Sequence, residues 1–203
     1  MTKTNKNEKI TIVPNQKQRK MVKSAIVSFI LIVTLSIPAC SLGVSGLQRY
    51  IDKNDAYEFL YPNGWIPVEV ENSSKGVDTV FRDIIEKTEN LSVIINCVPQ
   101  EQNLKKLGTP SEVGYRFMQE VNKNNKYDRQ AELINAEERQ INSNNYYELE
   151  YKVELANKQT RHNLASVVVS RGKLYTFNIS TKENRWEKVK QLFETVVKSF
   201  EVY

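Results

Sequence analysis

His162 is the one histidine in 203 residues, so any chemistry that needs an imidazole must use it. Neutral imidazole is the commonest side-chain donor to transition metals and a common general base at neutral pH. A Ser-His-Asp or Cys-His mechanism would therefore run through this residue. The segment LANKQTRHN carries it from a polar loop into a strand, which predicts an accessible place at a sheet rim. A rim histidine with no task is the competing reading. The other chemical candidates are sparse. Cys97 closes LSVIINCV, where Leu91, Val93, Ile95 and Cys97 fall at every second position. That spacing predicts a small inward-facing hydrophobe rather than a reactive thiol. Asp52, Asp55 and Glu58 cluster without the spacing of a calcium loop and read as a solvated face. Glu137 and Glu138 read as exposed charge. No Gly-rich phosphate loop, G-x-S-x-G, H-E-x-x-H or paired C-x-x-C is present.

The elements that must position these residues begin after a leader. Lys17, Arg19, Lys20 and Lys23 precede an apolar run, Ala25 to Leu35, and Ala39 sits just before Cys40. This is a signal-peptide pattern, too short to span a bilayer. Ile37-Pro38-Ala39-Cys40 also resembles a bacterial lipobox, with Cys40 as the lipid-bearing residue of the mature chain. The expected organisation is a signal peptide over 1–39, a lipidated tether over 40–46 and one domain over 47–203. With Cys40 lipidated, Cys97 has no intrachain disulfide partner. Seven of the 29 bases and one of the 24 acids precede Cys40, leaving 22 bases against 23 acids. The mature chain is near neutral, with no electrostatic reason to seek nucleic acid.

Strand signals dominate the domain. In YYELEYKVEL, Tyr147, Leu149, Tyr151, Val153 and Leu155 face one way, and Glu148, Glu150, Lys152 and Glu154 the other. This predicts one buried face and one solvated face. NLASVVVS and KLYTFNIS are two strands joined at Ser170-Arg171-Gly172-Lys173, a tight hairpin with Gly172 at positive φ. LQRYID, AYEFLYP, WIPVEV, DTVFRDII and LSVIINCV supply further strands, and Asn142 to Asn145 a turn. Two helices are legible. Thr109-Pro110-Ser111-Glu112 is a capping box opening a helix with Val113, Phe117 and Val121 on its apolar stripe. ENRWEKVKQLFETVVKSF places Trp186, Val189, Phe193, Val196 and Phe200 on one face, widened by Leu192 and Val197. Trp186 reads as a core anchor. The fold class is α+β: an antiparallel sheet sandwiched between helices, in one domain.

Residues 161–203 resemble the C-terminal half of the PsbP family, extrinsic lumenal proteins of photosystem II. The likeness is carried by Arg161-His162 opening a strand, Gly172-Lys173-Leu174-Tyr175 after the hairpin, Arg185-Trp186 opening the last helix, and the ending Ser199-Phe200-Glu201-Val202-Tyr203. Upstream, YEFLYPNGW and VFRDIIEKTENLSVIIN extend it to about Leu47. The lipobox makes the chain similar to the cyanobacterial lipoprotein branch. The resemblance implies an α/β/α sandwich and a role in photosystem II assembly or in supporting the oxygen-evolving complex. It also implies a divalent-metal site at His162 and at an acid shortly before the Arg-Trp pair, which here is Glu183. The hairpin brings His162 and Glu183 within reach, and two protein donors plus waters make a weak, open site. Glu183 is equally readable as the last member of a capping box, Ser180-Thr181-Lys182-Glu183.

The leading expectation is a non-catalytic, monomeric accessory protein on the lumenal side of the thylakoid membrane, tethered through Cys40. Its partners are lumenal subunits or assembly intermediates of photosystem II. Arg161, Arg171 and Lys173, read as gathered around one hairpin, are the candidate docking charges, with a protected sheet edge as the alternative. No cofactor is required, and a divalent ion (Zn, Mn or Ca) would bind weakly. A lipoprotein binding module for a small ligand and a metal-assisted hydrolase using His162 are the competing functions.

Overall fold

In a computed structural model, which describes residues 46–69, 76–123 and 128–203, Arg171 and Gly172 both take left-handed backbone angles, φ 52° and 72°. Two consecutive positive φ values define the hairpin turn whose twist matches that of paired strands. The turn pairs β8 (Thr160–Ser170) with β9 (Lys173–Lys182), placing Ser170 opposite Lys173 and Arg161 opposite Lys182. On the far side of β9 lie β5 (Asn90–Cys97), β4 (Val77–Asp83) and β3 (Trp65–Pro67). On the far side of β8 lie β7 (Asn144–Glu154) and β6 (Gln130–Ile141). The result is a seven-stranded antiparallel sheet ordered β3-β4-β5-β9-β8-β7-β6.

Chain order and sheet order part company between β5 and β6, which lie four places apart. The crossing is made by α1 (Leu104–Leu107) and α2 (Pro110–Lys123), which cover one face of β6, β7 and β8. Helix α2 starts as its sequence predicts. The Thr109 amide donates to Glu112 Oε2 at 2.8 Å, the Glu112 amide donates to Thr109 Oγ1 at 3.3 Å, and Pro110 takes the first helical position. At its other end Asn122 clasps Ala131, accepting from its amide and donating to its carbonyl.

The opposite face is covered by α3 (Trp186–Lys198), preceded by a single 3-10 turn, Glu183–Arg185. The chain then ends in β10 (Glu201–Val202). This strand joins β2 (Tyr57–Pro62) and β1 (Leu47–Asp52) in a second, three-stranded sheet. The fold is thus α+β, with the large antiparallel sheet between helical layers.

Each face carries its own core. Under α2 lie Tyr147, Leu149, Tyr151, Ala165 and Val167, with Met118 from the helix. Under α3 and the small sheet lies an aromatic cluster. Phe177 stacks parallel on Phe200, with ring centroids 5.0 Å apart, and lies 4.9 Å from Phe59. Each such ring contributes about 1.5–3 kcal/mol by leaving water. Trp186 is buried in this core, as its place on the stripe predicts.

Three expectations are corrected. The charged face of β7 is solvated only toward its end at Glu154: Glu148 and Glu150 are about one-fifth exposed (17% and 22%), paired with Arg139 and His162. Cys97 is exposed: Leu91 and Val93 are fully buried, but the strand outruns the core before its last residue. Leu192 is also exposed, so the apolar stripe of α3 is narrower on that side.

Helix α2 approaches the sheet through Gly114, where an added Cβ would stand 2.8 Å from Leu133 Cδ2 and 3.3 Å from Leu149 Cδ2. Gly114→Leu therefore overpacks this contact, and the thermal midpoint should fall by the equivalent of about 1–3 kcal/mol. An unchanged melt would show that α2 is not seated on this contact.

Candidate functional site

The register that sets His162 opposite Thr181 and Lys152 points its ring to the α3 face of the sheet. There the ring lies flat under the Trp186 indole, with centroids 3.8 Å apart and planes 10° from parallel. His162 is only 2% exposed, not accessible as a rim position predicts. The cause is the first residue of α3, which lands on top of it.

Both ring nitrogens are engaged. Nδ1 lies 2.9 Å from Glu183 Oε2 and Nε2 lies 2.8 Å from Glu150 Oε1. Each nitrogen is thus occupied by a carboxylate oxygen, and neither is left open to another partner. Glu183 is held on its other side by Lys152, whose Nζ donates to Oε1 at 2.7 Å. Burial pushes the Glu183 carboxyl up, but the hydrogen bonds from Lys152 and His162 outweigh it and hold the group below its ordinary range. The bond to Glu183 in turn holds the Lys152 ammonium above its usual value.

His162 and Glu183 therefore meet, as the hairpin geometry predicts. Glu150 and Lys152 were not foreseen. The signal that finds them is the register of β7 against β8: Lys152 lies directly opposite His162, and Glu150 sits two residues along on the same face. The capping box read at Ser180 does not form. Strand β9 runs on to Lys182, and the 3-10 turn has no side-chain cap. Thr181 Oγ1 instead donates to the buried Glu89 at 2.9 Å, which also accepts from Arg185 Nε at 2.7 Å.

Chemically, the arrangement is a fastener. A histidine presents one nitrogen to an ion, and the two carboxylates sit at opposite nitrogens, so no single ion could take His162 and both acids. Among the described residues no three His, Cys, Asp or Glu converge as a metal site. An ion at Nε2 would have Glu150 Oε1 as its second protein donor, and one at Nδ1 would have Glu183 Oε2. Glu150 at Nε2 would then serve as the carboxylate that fixes the tautomer.

The three candidate docking charges are not gathered in one place. Arg161 and Arg171 stand at opposite ends of β8, about 33 Å apart at strand rise. Arg161 is half-buried, and its Nε and Nη2 donate to Ser180 Oγ at 3.0 and 2.7 Å. Lys173 bonds Asp55 at 2.5 Å. Arg171, in the hairpin turn, is exposed. The acidic cluster is also engaged: Asp52 Oδ1 accepts the amides of Asn54 and Asp55, and Glu58 pairs with Arg49. Cys40 lies outside the described residues.

The PsbP family model matches residues 45–202. CyanoP of Synechocystis sp. PCC 6803 is 53% identical over 186 residues, covering 91% of this chain and 99% of that one. CyanoP of Thermosynechococcus vestitus is 46% identical, covering 85% and 94%. The solution structure of the Synechocystis protein superimposes with a TM-score of 0.69 at 57% identity, covering 80% of this chain and 96% of that one.

A carboxyl whose folded pKa is depressed contributes stability above its unfolded value, and that stability is lost as pH falls through the folded one. For Glu183 the loss begins as pH drops through its ordinary value of 4.5. Glu183→Gln should flatten this part of the profile: the thermal midpoint of the unsubstituted chain falls more between neutral pH and about pH 3 than that of the variant. Parallel profiles would show that Glu183 is not held as an ion.

Proposed function

The chain belongs to the PsbP family, and on that footing we propose that it is a non-catalytic accessory protein of photosystem II. A lipid on Cys40 holds it at the lumenal face of the thylakoid membrane, where it supports assembly or stability of the oxygen-evolving complex. What carries this reading is that the family likeness runs through the whole described domain, from strand β1 to strand β10. Bacterial lipoproteins carry more than one acyl chain, which makes such anchoring firm where a single chain is marginal.

The geometry of His162 supports the non-catalytic half. A general base needs a free lone pair within reach of a substrate proton. This ring is roofed by Trp186 and saturated at both nitrogens. The groove beside α3, lined by Glu137, Glu148, Glu150 and Glu194, holds about 210 Å³. It is smaller and more acidic than the apolar pockets that take small ligands, so the binding-module reading gains nothing from it.

A divalent ion is a secondary part of the proposal. His162 Nδ1 and Glu183 Oε2 would hold it, with Glu150 orienting the ring, and it would supply a cross-link between β8 and the turn before α3. Lys152 competes for the same carboxylate. Lys152→Met should therefore tighten zinc binding, read by calorimetry, by about threefold to tenfold, the worth of one half-exposed charge-assisted hydrogen bond. Equal zinc affinity in the unsubstituted chain, His162→Ala and Glu183→Gln would remove the ion from the proposal.

The functional reading is tested by affinity capture of the tagged, lipidated protein from solubilised thylakoids of its source. Photosystem II subunits or assembly intermediates should be recovered. Recovery of none of them, under conditions that keep the photosystem intact, would sink it.

A further inference from the structure

The loop between β4 and β5 exposes Ile84 and Ile85, which are 53% and 94% accessible to water. Ile66, across from Arg82 on neighbouring β3, is 42% accessible. A single exposed isoleucine needs no explanation, but three at one corner of a molecule do.

The loop that carries them is built rather than loose. Asp83 Oδ1 accepts from the amides of Ile85 and Glu86 at 2.6 and 3.0 Å, and its Oδ2 accepts from Trp65 Nε1 at 3.1 Å. The Glu86 carbonyl accepts from the Glu89 amide at 2.8 Å, and the Glu86 carboxylate from Thr88. Its acids are neutralised as well: Glu89 binds Arg185, and Glu86 lies 3.5 Å from Lys182 and 3.8 Å from Arg185. Arg82 and Lys87 remain exposed on either side of the isoleucines. The tip thus presents apolar side chains, internally bonded amides and flanking cations. That is the composition of a segment that enters a lipid interface.

The course of the chain says which surface it meets. Gly46, the first described residue, accepts from the Asn63 amide at 2.8 Å, and the adjacent Gly64 accepts from the Ile84 amide at 3.2 Å. The point where the domain leaves toward Cys40 is therefore two hydrogen bonds from the tip. Six residue steps separate Cys40 from Gly46, a reach of at most about 20 Å. A bilayer holding Cys40 is held against this corner.

We propose that the β4–β5 loop is a second membrane contact, with Ile84 and Ile85 seated in the interface of the bilayer to which Cys40 tethers the chain. This rests on the reading of Cys40 as a lipidated residue, and it fixes the domain's orientation. The end carrying His162 and Glu183 faces the membrane, and the Arg171 turn points away from it.

The test uses the full mature chain with Cys97→Ser, coupled through the Cys40 thiol to a maleimide phospholipid. The vesicles are phosphatidylcholine and phosphatidylglycerol, about four to one, carrying brominated acyl chains. Coupling supplies the tether whatever the native modification. Ile85→Trp places a reporter at the tip and Arg171→Trp places one at the far turn, with the emission of Trp65 and Trp186 subtracted. The tip reporter should be quenched at least about threefold more than the far one, and Ile84→Ser should reduce that difference. Equal quenching at both positions overturns the proposal. So does a tip reporter that responds only when solubilised photosystem II is added, because the loop is then a protein contact. The mass of the natively processed N-terminal peptide judges the tether separately: an unmodified Cys40 removes the native anchor while leaving the tip result to stand on its own.

Discussion

The pairing of β8 with β9 is the constraint on which the molecule depends. Both strands are central, each flanked by another strand, and both faces of each are covered. A slip of one residue would send Tyr175, Phe177 and Ile179 to the α2 face and Leu174 and Thr176 into the aromatic core. The two left-handed residues at the turn prevent that slip, since they permit only a two-residue connection. The same register aims His162 at α3 rather than α2 and places it opposite Lys152. The site therefore follows from the turn: once Arg171 and Gly172 set the pairing, the imidazole has one face of the sheet available to it.

On that face the imidazole meets a problem that burial creates. A polar ring taken out of water costs free energy unless its partners replace the lost hydration. Here the replacement comes from three elements: Glu150 on β7, Glu183 on the 3-10 turn and Trp186 on α3. A neutral apolar residue of similar size would avoid the cost and lose the cross-linking. The polar arrangement joins two strands to the entry of the last helix, which in turn carries the chain to β10 and closes the second sheet. Thr181, Glu89 and Arg185 do the same one residue along, tying β9, the β4–β5 loop and the same turn. Two buried polar knots at one end of the sheet thus fix where α3 begins. Placing a helix by polar contacts gives it a definite start that apolar packing alone leaves degenerate.

How much of this is legible in the sequence follows from the range of the interactions. The strands, the hairpin, the capping box at Thr109 and the stripe of α3 rest on neighbours within a few residues, and periodicity shows them. The face of β7 carrying Glu148, Glu150 and Lys152 reads as solvated for a sound reason: unpaired charge is costly to bury. The pairs that offset that cost lie outside the strand, at Arg139, His162 and Glu183, and a one-strand pattern does not contain them. Arg161 and Lys173 read as one group for a related reason. Both belong to one hairpin, yet a residue at the open end of an eleven-residue strand and one at its turn share only sequence proximity. Cys97 marks the limit of alternation itself: period two tells which way a side chain points, and not whether anything lies over it.

The polar knots also separate the two ends of the domain in kind. At the end where Gly46 leaves the sheet, the cations Lys152, Lys182 and Arg185 are committed to carboxylates of the same end, and the β4–β5 tip exposes Ile84 and Ile85 between Arg82 and Lys87. At the other end the hairpin turn leaves Arg171 exposed on a rigid two-residue loop. A protein that acts by occupying a place on a larger complex needs a fixed shape and a fixed orientation more than it needs a pocket. Spending the only imidazole on fastening a helix is consistent with that requirement, because a ring so held contributes rigidity only while it stays bonded and covered. Catalysis would ask the opposite of it: a free nitrogen and a path to solvent. The same residue cannot satisfy both demands in one geometry, and the geometry present serves the first.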